Sequence, residues 1–349
     1  MKRNYYLFLI LISFFLTVQK LSASSQADIP DFIDLARIKP QDRKPQSQII
    51  QFCYTSELNI GDYLPTLGIR GMLEQGTDLW NIKDRNIDFD FINSHYKCAI
   101  IGGAGILSKR SEHFYRAVLQ GCKIPMIIWG VGMCLPEGNI QISEGINKQV
   151  AQELESRCDL INVRDDLTAN YYGFKNASIS VCPTIAYLQK FIKFVNKNSQ
   201  RILYSSHDNL VPNDENIGII AALQEASTDF KKVNNIFSAE KKISEIENII
   251  MEYCNSKIVV TTRLHGAIIA YSLGIPYIII PFDEKLRAFH RKYGNGVIAN
   301  TLQELQSFLR NQEWIDLINT ELNPVLEFGK KAKAWVQNYC STDIIKKDL

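Results

Sequence analysis

The stretch Ile258-Val-Val-Thr-Thr-Arg263-Leu264-His265-Gly266-Ala-Ile-Ile-Ala-Tyr-Ser-Leu273-Gly274-Ile-Pro276-Tyr-Ile-Ile-Ile280 decides the fold. Its opening residues are β-branched and apolar, which predicts a strand over 257–261. Gly266 to Leu273 is helix-compatible, and Gly274 is a good helix stop. Pro276–Ile280 reads as a strand again. Strand, helix and strand in so short a span make a βαβ unit with parallel strands. Arg263 and His265 then stand where the strand gives way to a helix N-terminus, with its unpartnered N–H groups and positive dipole end. Arg263 adds a planar fork suited to phosphate or carboxylate. His265 can donate a hydrogen bond or move a proton near neutral pH. Gly266 would let a ligand approach the backbone. On these residues alone, the turn is either an anion site or an Arg–carboxylate pair beside a packed histidine.

The same alternation runs outward from this unit. Ile49–Tyr54, Lys97–Ile101, Ile124–Trp129, Leu160–Val163 and Ser178–Cys182 read as strands. A helix follows Asp62, and Ile146, Val150 and Leu154 share one helix face. A second unit starts at Arg201–Tyr204. Ile243, Ile246, Ile250 and Cys254 mark a helix over 240–255, and Trp335 and Tyr339 fit one face of a C-terminal helix. The chain is therefore expected to be α/β, with two Rossmann-like domains, 48–195 and 196–349, facing a cleft. Residues 24–47 contain Pro30, Pro40 and Pro45 and read as a linker. Ligands bind at the carboxyl ends of parallel strands, so the loops there carry the functional reading.

Composition narrows the possibilities. The 349 residues are 46% hydrophobic and 22% charged, as in a globular protein. Lys plus Arg number 39 against 37 acidic residues, a net charge of +2. That leaves no general basic field for nucleic acid or anionic lipid, so an anion site must be local. The eight cysteines contain no CxxC pair, so a zinc site of the usual spacing is unsupported and no metal is expected. They read as buried thiols, with disulfides open to an exported chain. Lys2 and Arg3 precede an uncharged apolar run, Tyr5 to Val18, followed by small residues from Leu21 to Ala27. Residues 1–23 thus read as a signal peptide or signal anchor, implying a secretory or envelope route. Membrane contact is expected through that segment alone.

Five further loops fall at strand ends. Gly102-Gly103-Ala-Gly105 could cradle an anion or a sugar, or be a tight turn. Asn59-Ile-Gly61-Asp62 follows the first strand, and Asp62 is either a helix cap or a base for a hydroxyl. Gly130-Val-Gly132 is a third such loop. Arg164-Asp165 is either an ion pair or a cleft-facing arginine. Asp283, Lys285 and Arg287 follow the strand 276–280, as a solvated cluster or as part of the site.

Together these segments resemble the polysaccharide pyruvyltransferase family. The matching motifs, in the family's order, are Asn59-Ile-Gly-Asp62, Ile100-Ile-Gly-Gly-Ala-Gly105, Trp129-Gly-Val-Gly132, Val163-Arg-Asp165, Thr262-Arg-Leu-His-Gly266, Ala270-Tyr-Ser-Leu-Gly-Ile-Pro276 and Phe282-Asp-Glu-Lys285. The Arg-Leu-His-Gly helix with its following Gly-Ile-Pro strand is the specific part. The resemblance implies a GT-B-like fold and phosphoenolpyruvate as donor substrate, with no separate cofactor. The product implied is a pyruvate ketal on two hydroxyls of a glycan or glycolipid, with phosphate released. It also implies that Arg263, Leu264 and His265 hold the donor, with Arg164 helping. Gly266 and Lys285 fall within the matching motifs, and the glycine loops would lie on the acceptor side. The chain departs from the family at Cys182-Pro183, where an Asp often precedes the Pro. The export-like N-terminus is a second departure, since many members are cytoplasmic, where this donor is made. Asn176-Ala-Ser178 is a possible glycosylation acceptor on an exported chain.

The enol carbon of such a donor must be protonated before a hydroxyl attacks. His265 is the expected acid, because Arg263 does not give up a proton, and Asp62 is the expected base. Two other functions fit the same architecture. One is a GT-B glycosyltransferase using a nucleotide-sugar; the other is an exported carbohydrate-binding relative that has lost activity.

Overall fold

A computed structural model describes residues 34–54, 59–133, 145–208, 210–236, 243–317 and 322–340. The signal-peptide or anchor reading of 1–23 lies outside them. No helix among the described residues is long and apolar enough to cross a membrane.

The chain builds two parallel sheets. The first holds β1 (Ile49–Cys53), β2 (Asp78–Asn81), β3 (Cys98–Gly102), β4 (Met126–Val131), β5 (Leu160–Val163) and β6 (Ala177–Ile179), in the order β2-β1-β3-β4-β5-β6. The second holds β7 (Ile202–Ser205), β8 (Phe230–Val233), β9 (Ile258–Thr261), β10 (Tyr277–Ile279) and β11 (Val297–Ile298), in the order β11-β10-β9-β7-β8. The central strands β1, β3, β4, β7, β9 and β10 are buried along their whole length, as expected when helices cover both faces of a parallel sheet. In each sheet the strand order reverses beside the first strand, between β1 and β3 and between β7 and β9. That reversal opens a crevice at the carboxyl ends of the strands.

In chain order the helices are α1 (Ile60–Leu73), α2 (Phe89–His95), α3 (Glu112–Gly121), α4 (Lys148–Arg157), α5 (Asp166–Tyr172) and α6 (Thr184–Leu188). They continue with α7 (Asn213–Ala226), α8 (Ile243–Cys254), α9 (Leu264–Leu273), α10 (Glu284–Tyr293), α11 (Leu302–Arg310) and α12 (Asn323–Cys340). All residues of α9 are buried, the mark of a helix enclosed on every side. Burying an Ile or Leu side chain such as Ile268 or Ile269 contributes about 1.5–3 kcal/mol. One apolar cluster joins Ile60, Tyr63 and Leu64 of α1 to Ile185 of α6 and Ala267 and Tyr271 of α9. The two sheets therefore share a hydrophobic seam, which resists relative motion far more than a polar interface would. The final helix α12 returns to the first sheet, setting Phe328, Ala332 and Trp335 against Ile49, Ile127 and Trp129.

Two expectations need correction. Residues 34–47, read as part of a linker, pack onto the first sheet. Leu35 is fully buried, Asp34 bridges to Leu79, and Arg43 pairs with Asp88 at 2.8 Å while lying over the Trp80 ring. Buried apolar and charge-paired contacts outweigh the proline-rich composition there. The strand expected over 178–182 ends at Ile179. Val181 and Cys182 leave the ladder to enter the seam between the sheets.

Candidate active site

The site forms where the starts of two helices meet. Asn59 caps α1 by accepting from the Gly61 N–H at 3.0 Å. Asp62 is therefore not the cap, and its carboxylate stands in the first turn. Ile60 N–H donates to the Asn235 carbonyl at 2.9 Å, so the second half of the chain clamps the start of α1. Asn235 is buried with φ of 55°, a left-handed conformation that costs energy and is held by its surroundings. Its amide donates to Ser205 Oγ at 3.3 Å and accepts from the Tyr253 hydroxyl at 2.9 Å.

The start of α9 faces this point. Arg263 is its N-cap residue, in extended conformation. Its N–H donates to Thr261 Oγ1 at 3.0 Å, and its Nε donates to the Ser206 carbonyl. His265 is the second residue of the helix and packs directly on Gly61. A Cβ built on Gly61 would lie 2.2 Å from His265 Nδ1 and 2.5 Å from its Cγ. The other ring nitrogen, Nε2, is 3.9 Å from Cys182 Sγ, which contacts Thr184 Oγ1 at 3.2 Å.

Electrostatics separate the two proton-bearing groups. Burial pushes His265 down to about 3, and the cations Arg164, Lys285 and Arg263 push the same way. The positive ends of α1 and α9 both meet at this ring and add to the effect. Asp62 keeps a partial opening to solvent, yet desolvation in its recess pushes it up to about 7. Lys285, Lys83, Arg263 and Arg164 counter that rise without cancelling it. The surroundings thus favour a neutral imidazole at His265 and a protonated carboxyl at Asp62. These shifts oppose the expected assignment of His265 as acid and Asp62 as base. Sequence cannot show this, because it depends on two helix ends and three cations meeting at one ring.

The structure brings Asp62, His265, Arg263, Arg164 and Lys285 within electrostatic reach of one another. Arg164 is buried, donates from one terminal nitrogen to Met133 O at 2.8 Å and lies 3.4 Å from Asp165. Gly132 has no room for a side chain because Arg164 Nε would lie 2.3 Å from its Cβ. Lys285 Nζ rests 2.9 Å from Asp283, which caps α10.

Other expected site residues have packing roles. Leu264 belongs to the apolar seam. The space beside Gly266 is filled by Thr261 and Ser205, at 2.2 and 2.7 Å from a built Cβ. Gly102 packs on Ile69 and Gln51, Gly103 on Pro65 and Gly130 on Pro183. Gly103 and Gly130 also have φ of 80° and 66°, where a side chain would be strained. Gly105 follows the left-handed Ala104 and is half-buried.

Sequence reading missed the loop after β7. His207 N–H donates to Thr262 Oγ1 at 2.7 Å. Burial and the charges of Arg263 and Lys285 push its imidazole down to about 4. Its location at the second sheet's strand reversal is the only signal that could have found it. Among the described residues no group of three or more His, Cys, Asp or Glu could hold a metal ion.

Known proteins share the chain's family and fold. A family model described as polysaccharide pyruvyl transferase matches residues 59–284, which contain every site residue above except Lys285. No curated protein is significantly similar in sequence. Among solved structures, one titled as an S. aureus MnaA–UDP co-structure aligns with TM-score 0.54 at 13% identity, over 84% of this chain and 96% of that one. A structure described as a UDP-N-acetylglucosamine 2-epimerase from Listeria monocytogenes aligns with TM-score 0.53 at 12% identity, over 84% and 96% of the two chains. One from Neisseria meningitidis bound to UDP-GlcNAc gives 0.51 at 14%, over 83% and 100%. At these identities the likeness speaks to the fold, two Rossmann-like domains in the GT-B arrangement.

Proposed function

This chain belongs to the polysaccharide pyruvyl transferase family, and from that premise we propose that it moves the pyruvyl group of phosphoenolpyruvate onto two hydroxyls of a glycan or glycolipid, forming a ketal and releasing phosphate. The supporting observation is the charge of the site. Arg263, Arg164 and Lys285 surround a neutral His265 and a protonatable Asp62. A donor with a phosphate and a carboxylate carries about three negative charges and matches that set.

In this reading Arg263 and the start of α9 hold the phosphate, while Arg164 and Lys285 balance the remaining charge. The bound donor's negative charge raises the proton affinity of both Asp62 and His265. Asp62 is then the proton donor to the enol carbon, and His265 receives the proton of the attacking hydroxyl. The first hydroxyl oxygen bonds to the central carbon of the donor. The carbon–oxygen bond to phosphate breaks, and the second hydroxyl closes the ketal. Of the two hydroxyl protons, one replaces that given to carbon and the other leaves with phosphate.

The test is to incubate residues 24–349 with phosphoenolpyruvate and a panel of glycosides, measuring free phosphate. Acceptor-dependent phosphate release is expected. Release of nucleotide from a nucleotide-sugar, with none from phosphoenolpyruvate, would favour the glycosyltransferase reading. Inertness toward both would favour the carbohydrate-binding one. The pH dependence of kcat/KM tests the proton roles, since it reports groups of the free enzyme. It should fall above about pH 7 if Asp62 must arrive protonated, and rise through the same range if Asp62 is the base.

A further inference from the structure

Where the second sheet reverses its strand order, β7 and β9 lie side by side with Ser205 level with Thr261. Continued two residues past each strand, the same register sets His207 level with Arg263. Hydrogen bonds hold the two strand ends together there. Thr262 N–H donates to the Ser205 carbonyl at 3.1 Å, Arg263 Nε donates to the Ser206 carbonyl, and His207 N–H donates to Thr262 Oγ1 at 2.7 Å. The His207 carbonyl in turn accepts from Leu210 N–H at 2.9 Å and Val211 N–H at 3.1 Å. The loop that carries His207 is thus fixed both to the residues that open α9 and to its own next turn.

The imidazole, by contrast, is left unbonded. Its Nδ1 is buried with no hydrogen-bond partner among the described residues, and no described group bonds Nε2. Burying a polar atom without a partner costs free energy. The ring as a whole is half-buried, so the edge carrying Nε2 is the one open to a ligand. The neighbouring carboxylate is already occupied: Asp208 accepts from Ser206 Oγ at 2.6 Å and pairs with Lys232 Nζ of β8 at 2.8 Å.

We propose that His207 is a donor-binding residue, whose Nε2–H and the Arg263 guanidinium hold the same phosphate group in the crevice between β7 and β9. The inference rests on the reading of this site as one for a phosphate-bearing donor. Crevices at a strand reversal take ligands, and the start of α9 adds unpartnered N–H groups and a positive dipole end beside the two side chains. Arg263 spends its Nε on the Ser206 carbonyl, which leaves its terminal nitrogens for an anion. Burial, then the charges of Arg263 and Lys285, favour a neutral imidazole against the opposing pull of Asp283. A neutral imidazole keeps one N–H to donate and does not repel Arg263 before the anion arrives.

The test adds inorganic phosphate to the full chain carrying isotope-labelled histidine and follows the imidazole nitrogens by NMR at neutral pH. The His207 signals are those missing from His207→Gln. Phosphate is expected to shift the His207 Nε2 signal as a donated hydrogen bond forms. Calorimetry should show phosphate bound roughly tenfold or more weakly by His207→Ala, the loss of one hydrogen bond to a charged group. His207→Gln, whose side-chain N–H reaches the place of Nε2, should recover affinity to within about threefold of wild type. His207→Asn, whose amide falls at Nδ1, should not, a difference that a merely structural histidine would not produce. An unmoved His207 signal, or equal phosphate affinity in wild type and His207→Ala, overturns the proposal. The wild-type spectrum decides the matter even if a variant folds poorly. The same titrations with phosphoenolpyruvate keep the subsite apart from the function it rests on. His207-dependent binding of inorganic phosphate without binding of phosphoenolpyruvate would retain the subsite and remove that donor. Phosphoenolpyruvate binding unchanged in His207→Ala would retain the donor and remove the subsite.

Discussion

Replacing Gly61 by Ala sets two opposing effects against each other within one methyl group. Gly61 is in the first turn of α1, where intrinsic propensity favours Ala over Gly by roughly 0.5–1 kcal/mol. The added Cβ would stand 2.2, 2.5 and 3.0 Å from Nδ1, Cγ and Cβ of His265. Because the His265 Cβ is among the crowded atoms, turning the ring alone does not relieve the clash. Either His265 leaves its rotamer or α1 shifts against the start of α9, and overpacking of this kind costs about 1–3 kcal/mol. The clash outweighs propensity, so Gly61→Ala should be destabilised by about 1–2 kcal/mol. The effect on turnover should be larger, because moving a positioned group by about 1 Å costs on the order of a hundredfold. Gly71 supplies the control: it lies in the same helix and has nothing within 4 Å of a built Cβ. Gly71→Ala should therefore keep full activity and gain up to about 1 kcal/mol. The assay is initial-rate phosphate release from phosphoenolpyruvate with chemical denaturation of each variant. If Gly61→Ala turned over within roughly a factor of three of wild type, the claim that His265 is held against Gly61 for catalysis would fail.

Other outcomes follow from the same contacts. Asp62→Asn should abolish turnover yet stabilise the fold. A carboxyl raised in the folded state makes the native form bind more protons than the unfolded one, so its ionisation removes stability between about pH 4 and pH 7 and nothing more is lost above. The variant's gain in thermal midpoint should grow across that window and then level off; a constant gain from pH 4 to pH 8 would contradict the raised proton affinity. Arg263→Lys should lower kcat/KM by roughly tenfold or more, because an ammonium cannot keep both the Ser206 carbonyl and a bidentate anion; titration calorimetry with phosphoenolpyruvate should show the same loss. Trp335→Phe removes the 2.8 Å hydrogen bond to Asp159 but leaves that of Tyr339 at 3.2 Å, so denaturation should show a loss near 1 kcal/mol with activity intact.

The fold was legible in sequence where burial is uniform. The strand over 257–261, the helix from Leu264 to Leu273 and the strand after Pro276 appear within a residue or so of expectation, since apolar β-branched runs leave few alternatives. The short strands Asp78–Asn81 and Phe230–Val233 were not, because the first is half polar and the second is a sheet edge carrying Lys231 and Lys232. In the site, the residue types at Asp62, Arg263 and His265 pointed to proton and anion chemistry. Their relation did not, because no spacing rule places residue 61 against residue 265. The glycines misled for a similar reason: at positions 61, 132 and 266 the missing side chain makes room for His265, Arg164 and Thr261 rather than for a ligand. Asn235 and His207 carried no motif, and only the meeting of the two sheets gives them a place.

The central claim, pyruvyl transfer at the meeting point of α1 and α9, is tested most directly by following one glycan acceptor through the reaction with isotopically labelled phosphoenolpyruvate. Carbon NMR of the product and a phosphate assay would be read together. The account predicts one phosphate released for each ketal carbon formed on the glycan, with both signals lost in His265→Ala while that variant remains folded. Phosphate release without a ketal, or both signals at wild-type levels in His265→Ala, would contradict it.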